Sequence, residues 1–425
     1  MNFFQEVVKL LSYSFILSLS QVYHPCNLHQ GQILSMELEK FLGEKYPSIY
    51  HLVVTGKCNA SCEGCINTLI YGERSKVSSL WEESPEENFR ALKFLINHLG
   101  NGQPIYIAFY GGEPLLVPER LNFYIKEMSQ SFPEKTFYYL LFTNGMLLDR
   151  FIEDGESFLG SLSLLIVSID GRKLQHNRVR KGTDLDKIEE NLRAFKKVYK
   201  IPVLMWSTIR ENMSLRDCYL EFLKLYKERL TDYFFWHLIE ERAPIKNFEN
   251  FRAAYLADLS FLFEEFVSHI KEGQILPLLP LCELFFFLLK GIRRGHTGCG
   301  IEKLRNFDIL SGKILPCVDL GEEISFKDPG KIKELKGNLE RLVNYKEEFG
   351  CADCLAEFYC GGRCPVLIKT SPLRAKQYCL LMRDFVELAR SKIEELKRAL
   401  VKSSITAEEL YFPYGYLVLL TDVVP

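Results

Sequence analysis

Three cysteines, Cys58, Cys62 and Cys65, have the clearest capacity for chemistry in this chain of 425 residues. They follow the apolar run Tyr50–Val54 at CxxxCxxC spacing. A [4Fe–4S] cluster normally takes four cysteine thiolates, so three thiolates leave one iron free to bind a group that is not protein. The spacing therefore predicts an iron–sulfur centre with an open iron. A zinc site, which prefers a closed tetrahedral set of Cys and His ligands, is the alternative.

The CxxxCxxC motif resembles that of the radical SAM superfamily. The resemblance implies that the open iron chelates the amino and carboxylate groups of S-adenosylmethionine. It also implies that one electron from the reduced cluster releases a 5′-deoxyadenosyl radical, which takes a hydrogen atom from the substrate. The cofactor supplies this chemistry and the protein positions it. One position departs from the family pattern, because the residue before the third cysteine is usually aromatic and here it is Gly64.

A second motif, Gly111-Gly112-Glu113-Pro114, follows the second predicted strand. The two glycines allow the backbone to approach a ligand closely, and the Glu113 carboxylate is an acceptor for a cation. The motif resembles the GGEP sequence of the same superfamily, which implies that it holds the ammonium of the methionine moiety. A Gly-Gly turn in which proline ends the strand is the alternative.

Polar residues also follow the third and fourth predicted strands, in Asn144-Gly145 and in Ser168-Ile169-Asp170-Gly171. The next loop contains His176 and two arginines and is similar to a loop of peptide-modifying members of the superfamily. That resemblance implies cofactor contacts from Asn144, Ser168, Asp170, Arg178 and Arg180. Either arginine would pair with the carboxylate, as a guanidinium does well. Asn-Gly is also a hairpin signal, and for His176 a packing role is as consistent with the sequence as a functional one.

The second group of cysteines lies near the C-terminus and consists of Cys299, Cys317, Cys351, Cys354, Cys360, Cys364 and Cys379. All seven match the SPASM extension, which is found in anaerobic sulfatase-maturating enzymes and ribosomal-peptide maturases. The resemblance implies two auxiliary [4Fe–4S] clusters, the first held by Cys351, Cys354, Cys360 and Cys379. The second would be held by Cys299, Cys317 and Cys364.

The three-cysteine set leaves the fourth ligand of its cluster open. Cys282 is the nearest cysteine, and an iron that is open or ligated from outside is the other possibility. Zinc ribbons are the alternative for the whole group, because four thiolates also suit a tetrahedral zinc site.

The elements that position these residues alternate between strands and helices, which favours βαβ units and a parallel sheet. The predicted strands are Tyr50–Thr55, Ile105–Tyr110, Phe137–Thr143, Leu164–Ile169, Val203–Ile209 and Phe234–Glu240. The predicted helices are Pro85–Leu99, Pro118–Ser131, Leu147–Leu159, Leu185–Tyr199, Leu215–Leu230, Phe248–Ile270 and Met382–Leu400. The fold class expected is α/β, a partial (β/α)6 radical SAM barrel followed by a cysteine-rich SPASM domain. A doubly wound sheet fits the alternation alone equally well.

We expect four segments along the chain. Residues 1–48 form a leader of unclear role, residues 49–275 the partial barrel, residues 276–385 the SPASM domain, and residues 386–425 a C-terminal helix and aromatic tail. The alternation of strands and helices stops after residue 275.

Composition excludes some classes of function. The 53 basic and 55 acidic residues give a formal charge of −2, which favours neither nucleic acid nor an anionic membrane as a partner. The short basic pairs, Arg293-Arg294 and Lys303 with Arg305, are interpreted as solvated surface. Thirteen cysteines in a large chain without a long apolar run indicate reduced thiolates and a cytoplasmic protein.

These features together predict a radical SAM enzyme that modifies a peptide or protein, by residue oxidation or by thioether or carbon crosslink formation. A ferredoxin- or flavodoxin-type protein would donate the electron. Glu240 and Glu241, at the end of the sixth strand, are candidates for a catalytic base, although an ordinary salt-bridged strand end is the alternative. The substrate could instead be a small molecule. A protein that binds peptides or carries electrons without radical chemistry is a further alternative.

Overall fold

The computed structural model describes residues 36–65, 84–99, 103–152, 158–320 and 332–421. The predicted leader, residues 1–48, therefore lies mostly outside the described residues, and its description starts at Met36. The final residues of the predicted tail, 422–425, also lie outside them.

The strands of the described chain have between two and eight residues. They are β1 (Met36–Glu37), β2 (Ser48–Thr55), β3 (Ser61–Cys62), β4 (Ile105–Gly111), β5 (Phe137–Thr143), β6 (Leu162–Ser168), β7 (Arg180–Lys181), β8 (Val203–Ile209), β9 (Tyr233–Leu238), β10 (Ile292–Arg293), β11 (Asn306–Leu310) and β12 (Lys313–Leu315). Six of them match the six predicted strands within about two residues at each end.

The main sheet has eight strands in the order β12-β11-β2-β4-β5-β6-β8-β9. The six predicted strands are consecutive neighbours and all run parallel. All eight residues of β2 are buried, as expected for a parallel strand that is covered on both faces. The fold class predicted from the sequence is confirmed.

After residue 275 the chain adds two strands to the main sheet that the sequence analysis did not predict. Strand β11 pairs in parallel with β2, and β12 returns antiparallel to β11. The hairpin thus extends the sheet at its β2 edge, so that Asp308 lies opposite His51. This pairing joins the chain around Cys317 directly to the barrel sheet.

Helices connect the parallel strands and build the C-terminal part. They are α1 (Leu38–Leu42), α2 (Pro85–Leu99), α3 (Pro118–Ser131), α4 (Asp149–Ile152), α5 (Lys173–Val179), α6 (Leu185–Val198), α7 (Leu215–Lys227), α8 (Phe248–Lys271), α9 (Leu279–Lys290), α10 (Ile332–Leu342), α11 (Glu357–Cys360), α12 (Pro365–Thr370), α13 (Pro372–Ser403) and α14 (Ala407–Tyr411).

Local sequence signals explain several helix ends. Proline occupies the first turn of α2, α3 and α13, where its missing N–H costs nothing. The Ser214 side chain caps α7 by accepting a hydrogen bond from the Asp217 N–H at 3.1 Å, as N-cap serines do.

Two predicted helices have different lengths in the structure. The helix predicted over 147–159 is only the short α4 within the described residues, and the C-terminal helix α13 is much longer than predicted because it begins at Pro372.

The chain's own C-terminal tail packs on one face of the barrel sheet. The helices cover the other face, whereas the tail contributes Leu417, Val418 and Leu420 to a second apolar cluster. That cluster contains side chains from the first half of several strands, among them Ile49, Tyr106, Leu204 and Phe235. The tail therefore fills the end of the barrel opposite the carboxyl ends of its strands.

One basic pair predicted to be solvated is partly buried. Arg294 is 1% exposed, and its Nη2 atom lies 2.7 Å from Glu283 Oε2. Its neighbour Arg293 is exposed and pairs with Glu37 at 2.8 Å. The surface interpretation is therefore wrong for Arg294, which stabilises the packing of α9 against the C-terminal part. Over the residues described, no helix combines the length and the apolar character needed to cross a membrane.

Candidate iron–sulfur and cofactor site

The loop that carries Cys58, Cys62 and Cys65 lies at the carboxyl edge of the main sheet, directly after β2. Its middle forms the short strand β3, which pairs antiparallel with β7. Since β7 follows the fourth barrel strand in the chain, this pairing connects the cysteine loop to the loop that contains Arg180. The three cysteines are only partly buried. They therefore lie where ligands bind in parallel α/β folds.

The Gly-Gly segment holds the start of the cysteine loop by its backbone. The Gly112 N–H donates to the Thr55 carbonyl oxygen at 2.7 Å, and the Glu113 N–H donates to the Lys57 carbonyl oxygen at 2.8 Å. A Cβ atom on Gly112 would lie 2.0 Å from the Lys57 carbonyl oxygen, which no side chain tolerates. The glycine is thus required for close approach to the cysteine loop. A contact from this segment to a ligand remains a prediction.

The Glu113 carboxylate is buried behind this loop and accepts three hydrogen bonds from the chain. The donors are the Leu115 N–H at 3.1 Å, the Thr143 hydroxyl at 2.7 Å and the Asn144 N–H at 2.8 Å. Burial raises the pKa of Glu113 to about 7, although these bonds lower it. A nearby cation would favour the ionised form. The side chain therefore joins the ends of two strands, and its contact with an ammonium remains a prediction.

The residue after β5 connects a third strand to the cysteine loop. The Asn144 side-chain NH₂ group donates to Asn59 Oδ1 at 2.7 Å, and its Oδ1 atom accepts from the Met146 N–H at 3.0 Å. Asn144 thus fixes the turn between Cys58 and Cys62. Ser168, at the end of β6, is partly exposed on the same edge of the sheet. Their contacts with ribose or carboxylate remain predictions.

A buried charge network lies next to Cys62. Asp170 is fully buried and accepts hydrogen bonds from the Arg180 Nε and Arg210 Nη1 atoms, both at 2.7 Å. Burial alone would raise the pKa of Asp170, but the two guanidinium groups outweigh burial and hold it at about 2. Burial also raises the pKa of the Cys62 thiol, and Arg180 opposes that shift. The network therefore places positive charge beside the cysteine thiols.

Arg210 is a site residue that the sequence analysis did not find. Its Nε atom donates to the Glu63 carbonyl oxygen at 2.8 Å, so that it connects Asp170 to the backbone between Cys62 and Cys65. Arginine after β8 belongs to no motif that we recognised in the sequence, and only its position relative to Asp170 indicates its role.

The other two residues of the predicted loop have contacts with the protein itself. His176 is fully buried, accepts from the Asp170 N–H at 3.1 Å and contacts the Thr183 hydroxyl at 3.0 Å. The structure therefore supports the packing role for His176, which holds the loop through Asp170 and Thr183. Arg178 is exposed and donates to the Asn212 carbonyl oxygen. This leaves Arg180 as the arginine that lies closer to the cysteine loop.

Gly64, the position that departs from the family pattern, is explained by a neighbour that directly follows the sixth barrel strand, β9. Its φ of +60° is a left-handed conformation that glycine adopts without strain. A Cβ atom at this position would lie 2.2 Å from the Ile239 Cδ1 atom and 3.0 Å from Glu241 Oε1. The buried Ile239 side chain therefore fills the space beside the third cysteine.

The four cysteines assigned to the first auxiliary cluster line one cavity. Its walls include Cys351, Cys354, Cys360, Cys379 and Arg363. Burial, together with neighbouring cysteines, raises the pKa of the Cys351 thiol to about 11 and that of the Cys379 thiol to about 12. Four thiols around one cavity suit iron–sulfur chemistry by donor type, since soft thiolate ligands favour iron–sulfur clusters and zinc.

The other three auxiliary cysteines also lie near one another. The pKa of the Cys317 thiol is raised by burial and by neighbouring groups, which are Asp319, Asp308, Cys364 and Cys299. In the part of the chain that the structure describes, no three His, Cys, Asp or Glu side chains converge closely enough to hold a single metal ion.

Cys282 lies in a different environment from these three cysteines. It is fully buried in the apolar helix α9, and its thiol contacts the Leu276 carbonyl oxygen at 3.6 Å. Burial raises the pKa of the Cys282 thiol well above its usual value. Burial, and next the nearby Cys282, raise the pKa of Tyr414, which places this thiol beside the C-terminal tail.

The two glutamates predicted as candidate bases differ in position. Glu240 follows β9, and burial raises its pKa against the opposing effect of Arg363. Its Oε2 atom is buried and makes no hydrogen bond. The Glu241 Oε2 atom lies 3.9 Å from the Arg374 Nη2 atom, a distance typical of a weak ion pair. Glu240 is thus the carboxylate that faces the auxiliary cysteines, and a catalytic role remains a prediction.

The comparisons with known proteins agree with this geometry. The family described as the 4Fe-4S single cluster domain matches residues 48–186. No curated protein matches the sequence. Native anSMEcpe with bound AdoMet is 22% identical with a TM-score of 0.63, over 84% of this chain and 100% of that chain. The chain has the radical SAM partial-barrel fold.

Two further structures extend the comparison. Native anSMEcpe with bound AdoMet and the Cp18Cys peptide is 21% identical with a TM-score of 0.62, over 85% of this chain and 100% of that chain. SuiB of Streptococcus suis bound to S-adenosylmethionine is 15% identical with a TM-score of 0.48, over 87% of this chain and 86% of that chain. The two anSMEcpe structures confirm, at the level of the fold, the resemblance to anaerobic sulfatase-maturating enzymes that the motifs implied.

Proposed function

We propose that this protein is a radical S-adenosylmethionine enzyme that modifies a peptide or protein, by oxidising a residue or by forming a thioether or carbon crosslink. The observation that carries the proposal is the position of Cys58, Cys62 and Cys65. They lie on one loop at the carboxyl edge of a radical SAM partial barrel, fixed there by contacts from three other strand ends. Three thiols in this position fit a [4Fe–4S] cluster with one open iron.

When bound, the cluster and S-adenosylmethionine would together supply a 5′-deoxyadenosyl radical. The chain's own residues would bind and orient the cofactor. Glu113 would accept a hydrogen bond from its ammonium, and Arg180, already charged beside Cys62, would attract its carboxylate. Asn144 and Ser168 would contact the ribose or carboxylate from the neighbouring strand ends.

The peptide substrate is supported by fold similarity to anSMEcpe, which has been solved with a bound peptide. The C-terminal cysteines add a second argument. Seven thiols in two groups fit two auxiliary [4Fe–4S] clusters, and clusters near a substrate provide a route for the electron that an oxidation must remove. Glu240, buried at the sixth strand end, would accept the proton that such an oxidation releases. A ferredoxin- or flavodoxin-type protein would supply the starting electron.

The test is anaerobic incubation of the reconstituted protein with S-adenosylmethionine, a reductant and candidate peptides. We expect 5′-deoxyadenosine to form and one peptide to lose hydrogen atoms, both detected by mass spectrometry. The matched control is the variant with Cys58, Cys62 and Cys65 replaced by alanine. A second control replaces Cys218, a buried thiol outside both groups.

The outcomes separate the alternatives. Release of 5′-deoxyadenosine that no peptide increases or consumes would favour a small-molecule substrate. A protein that binds iron but never cleaves S-adenosylmethionine would contradict the enzyme assignment and favour an electron carrier.

A further inference from the structure

Arg363 is a buried arginine at the cavity of the first auxiliary group of cysteines. It stands in the chain between Cys360, which belongs to the four-cysteine cavity, and Cys364, which belongs to the other set. Its side chain is only 3% exposed and forms part of the wall of that cavity. The guanidinium carbon lies 5.2 Å from the centroid of the Tyr378 ring. The cation is therefore fixed by packing on one side and faces the thiols on the other.

The charges around Arg363 keep it ionised. Burial lowers its pKa, but Cys360, Glu240 and Cys379 raise it. Arginine is effectively always protonated in proteins, and a charge away from water acts strongly on its neighbours because the local dielectric constant is low. Glu240 is the carboxylate that faces this guanidinium from the barrel side.

A second arginine approaches the same cysteines from the solvent side. Arg383, on α13, is exposed, and its pKa is raised chiefly by a hydrogen bond to Cys354. The same four thiols thus have one buried and one exposed guanidinium beside them. This pair provides a matched comparison of a charge that water screens with one that it does not.

We propose that Arg363 sets the reduction potential of the cluster held by Cys351, Cys354, Cys360 and Cys379, and raises it through its buried positive charge. The inference rests on the proposed function, which assigns a cluster to this cavity. One-electron reduction adds a negative charge to a cluster, so a fixed cation stabilises the reduced form more than the oxidised form. Net charge and surroundings are among the factors that set such potentials. A cluster that is easier to reduce accepts an electron from an oxidised substrate more readily.

The test uses the full-length chain with Cys58, Cys62 and Cys65 replaced by alanine, so that only auxiliary clusters give a signal. Arg363→Met, Arg363→Gln and Arg363→Lys are compared with Arg383→Met. Each protein is titrated with dithionite and followed by electron paramagnetic resonance, and iron per chain is measured in parallel. We expect the two neutral Arg363 variants to have a lower potential and Arg363→Lys to recover most of the difference. Arg383→Met should give a smaller shift that decreases as salt is added.

Each outcome bears on the inference. A neutral Arg363 variant with full iron content and an unchanged potential overturns it and leaves the proposed function intact. If both neutral variants lose the cluster while Arg363→Lys keeps the cluster and its potential, Arg363 serves assembly, and the inference also fails. A parent protein that holds no cluster at these four cysteines contradicts the auxiliary-cluster assignment itself.

Discussion

The two cysteine regions of this protein are held in different ways. The loop with Cys58, Cys62 and Cys65 is fixed by polar contacts from the barrel, among them the Gly112 N–H, the Asn144 side chain and Arg210. The cavity around Cys351 and Cys379 has thiols whose pKa burial raises to about 11 and about 12. Protein hydrogen bonds fix the geometry of the first region, whereas the second region has four thiols around one cavity, of which Cys360 is fully buried.

This difference indicates that the two regions depend on bound metal to different degrees. Bound metal requires thiolates, so thiols of raised pKa must lose protons when a cluster assembles, and the free energy of metal binding then contributes to folding. The barrel loop is organised by hydrogen bonds that exist without metal. We therefore expect the barrel site to tolerate the loss of its cluster, and the C-terminal part to depend on its own.

The largest effect is expected from replacing Cys58, Cys62 and Cys65 together by alanine. S-adenosylmethionine cleavage should be abolished, because no thiolate remains to hold the cluster at the barrel edge. Iron should fall without vanishing, since the C-terminal cysteines form separate groups. Assays of 5′-deoxyadenosine and iron per chain check both statements. Undiminished 5′-deoxyadenosine in this variant would contradict the assignment as a radical SAM enzyme. The control variant Cys218→Ala should form as much 5′-deoxyadenosine as the parent protein.

The next prediction tests whether the barrel site is held by its charge network. Asp170→Asn leaves the buried Arg180 and Arg210 without their carboxylate, so the free energy of unfolding should fall by about 3 to 5 kcal/mol. Urea unfolding measures the loss. The matched control is Asp186→Asn, whose partner Lys173 is 53% exposed, and whose loss of stability should be much smaller because water screens an exposed pair. Equal losses in the two variants would contradict a special role for the buried network.

Sequence patterns predicted the elements whose signal is local. The apolar run Val203–Ile209 is a strand with those same bounds, and the helix Pro85–Leu99 also has its predicted ends. Strand β11 was missed because it is only five residues long and contains Asn306 and Asp308. Its pairing with β2 joins residues far apart in sequence, and no periodicity in a single chain reveals such a partner.

For the candidate site too, the local motifs were predictable from the sequence and the long-range contacts were not. Motif spacing found Cys58, Glu113 and Asp170, which the fold does bring to one edge of the sheet. The side-chain partners of these residues were not predictable. Arg210 contributes through its distance to Asp170, and Gly64 through the space that Ile239 fills. Both depend on tertiary contacts between strand ends.

A third prediction concerns the Glu113 carboxylate, which three protein groups already contact. Glu113→Gln should weaken S-adenosylmethionine binding by about 1.5 to 3 kcal/mol, the range for hydrogen bonds to charged groups. The pKa of Glu113 is about 7 in the free protein, and an ammonium prefers the ionised carboxylate. The affinity should therefore rise with pH and level off above that pKa. Titrations across this range check the slope, which should be absent in the variant. If the parent protein and Glu113→Gln bind S-adenosylmethionine with equal affinity and the same pH dependence, Glu113 does not contact the ammonium directly.

The smallest effect, and the sharpest test of the contrast between the regions, is expected from Cys282→Ala. Cys282 is buried in α9 beside the C-terminal tail. Cys299 and Cys364, in contrast, lie close enough to the Cys317 thiol to help raise its pKa. We propose that the cluster at these three cysteines keeps an iron that is open or ligated from outside the chain. The variant should therefore lose about 1 to 2 kcal/mol of stability, from the cavity left by the sulfur atom, with no loss of iron. Iron content and the spectrum of the auxiliary clusters measure this.

Loss of one cluster would identify Cys282 as the fourth ligand. An unchanged cluster whose spectrum responds to added thiol or peptide would support an iron that binds the substrate.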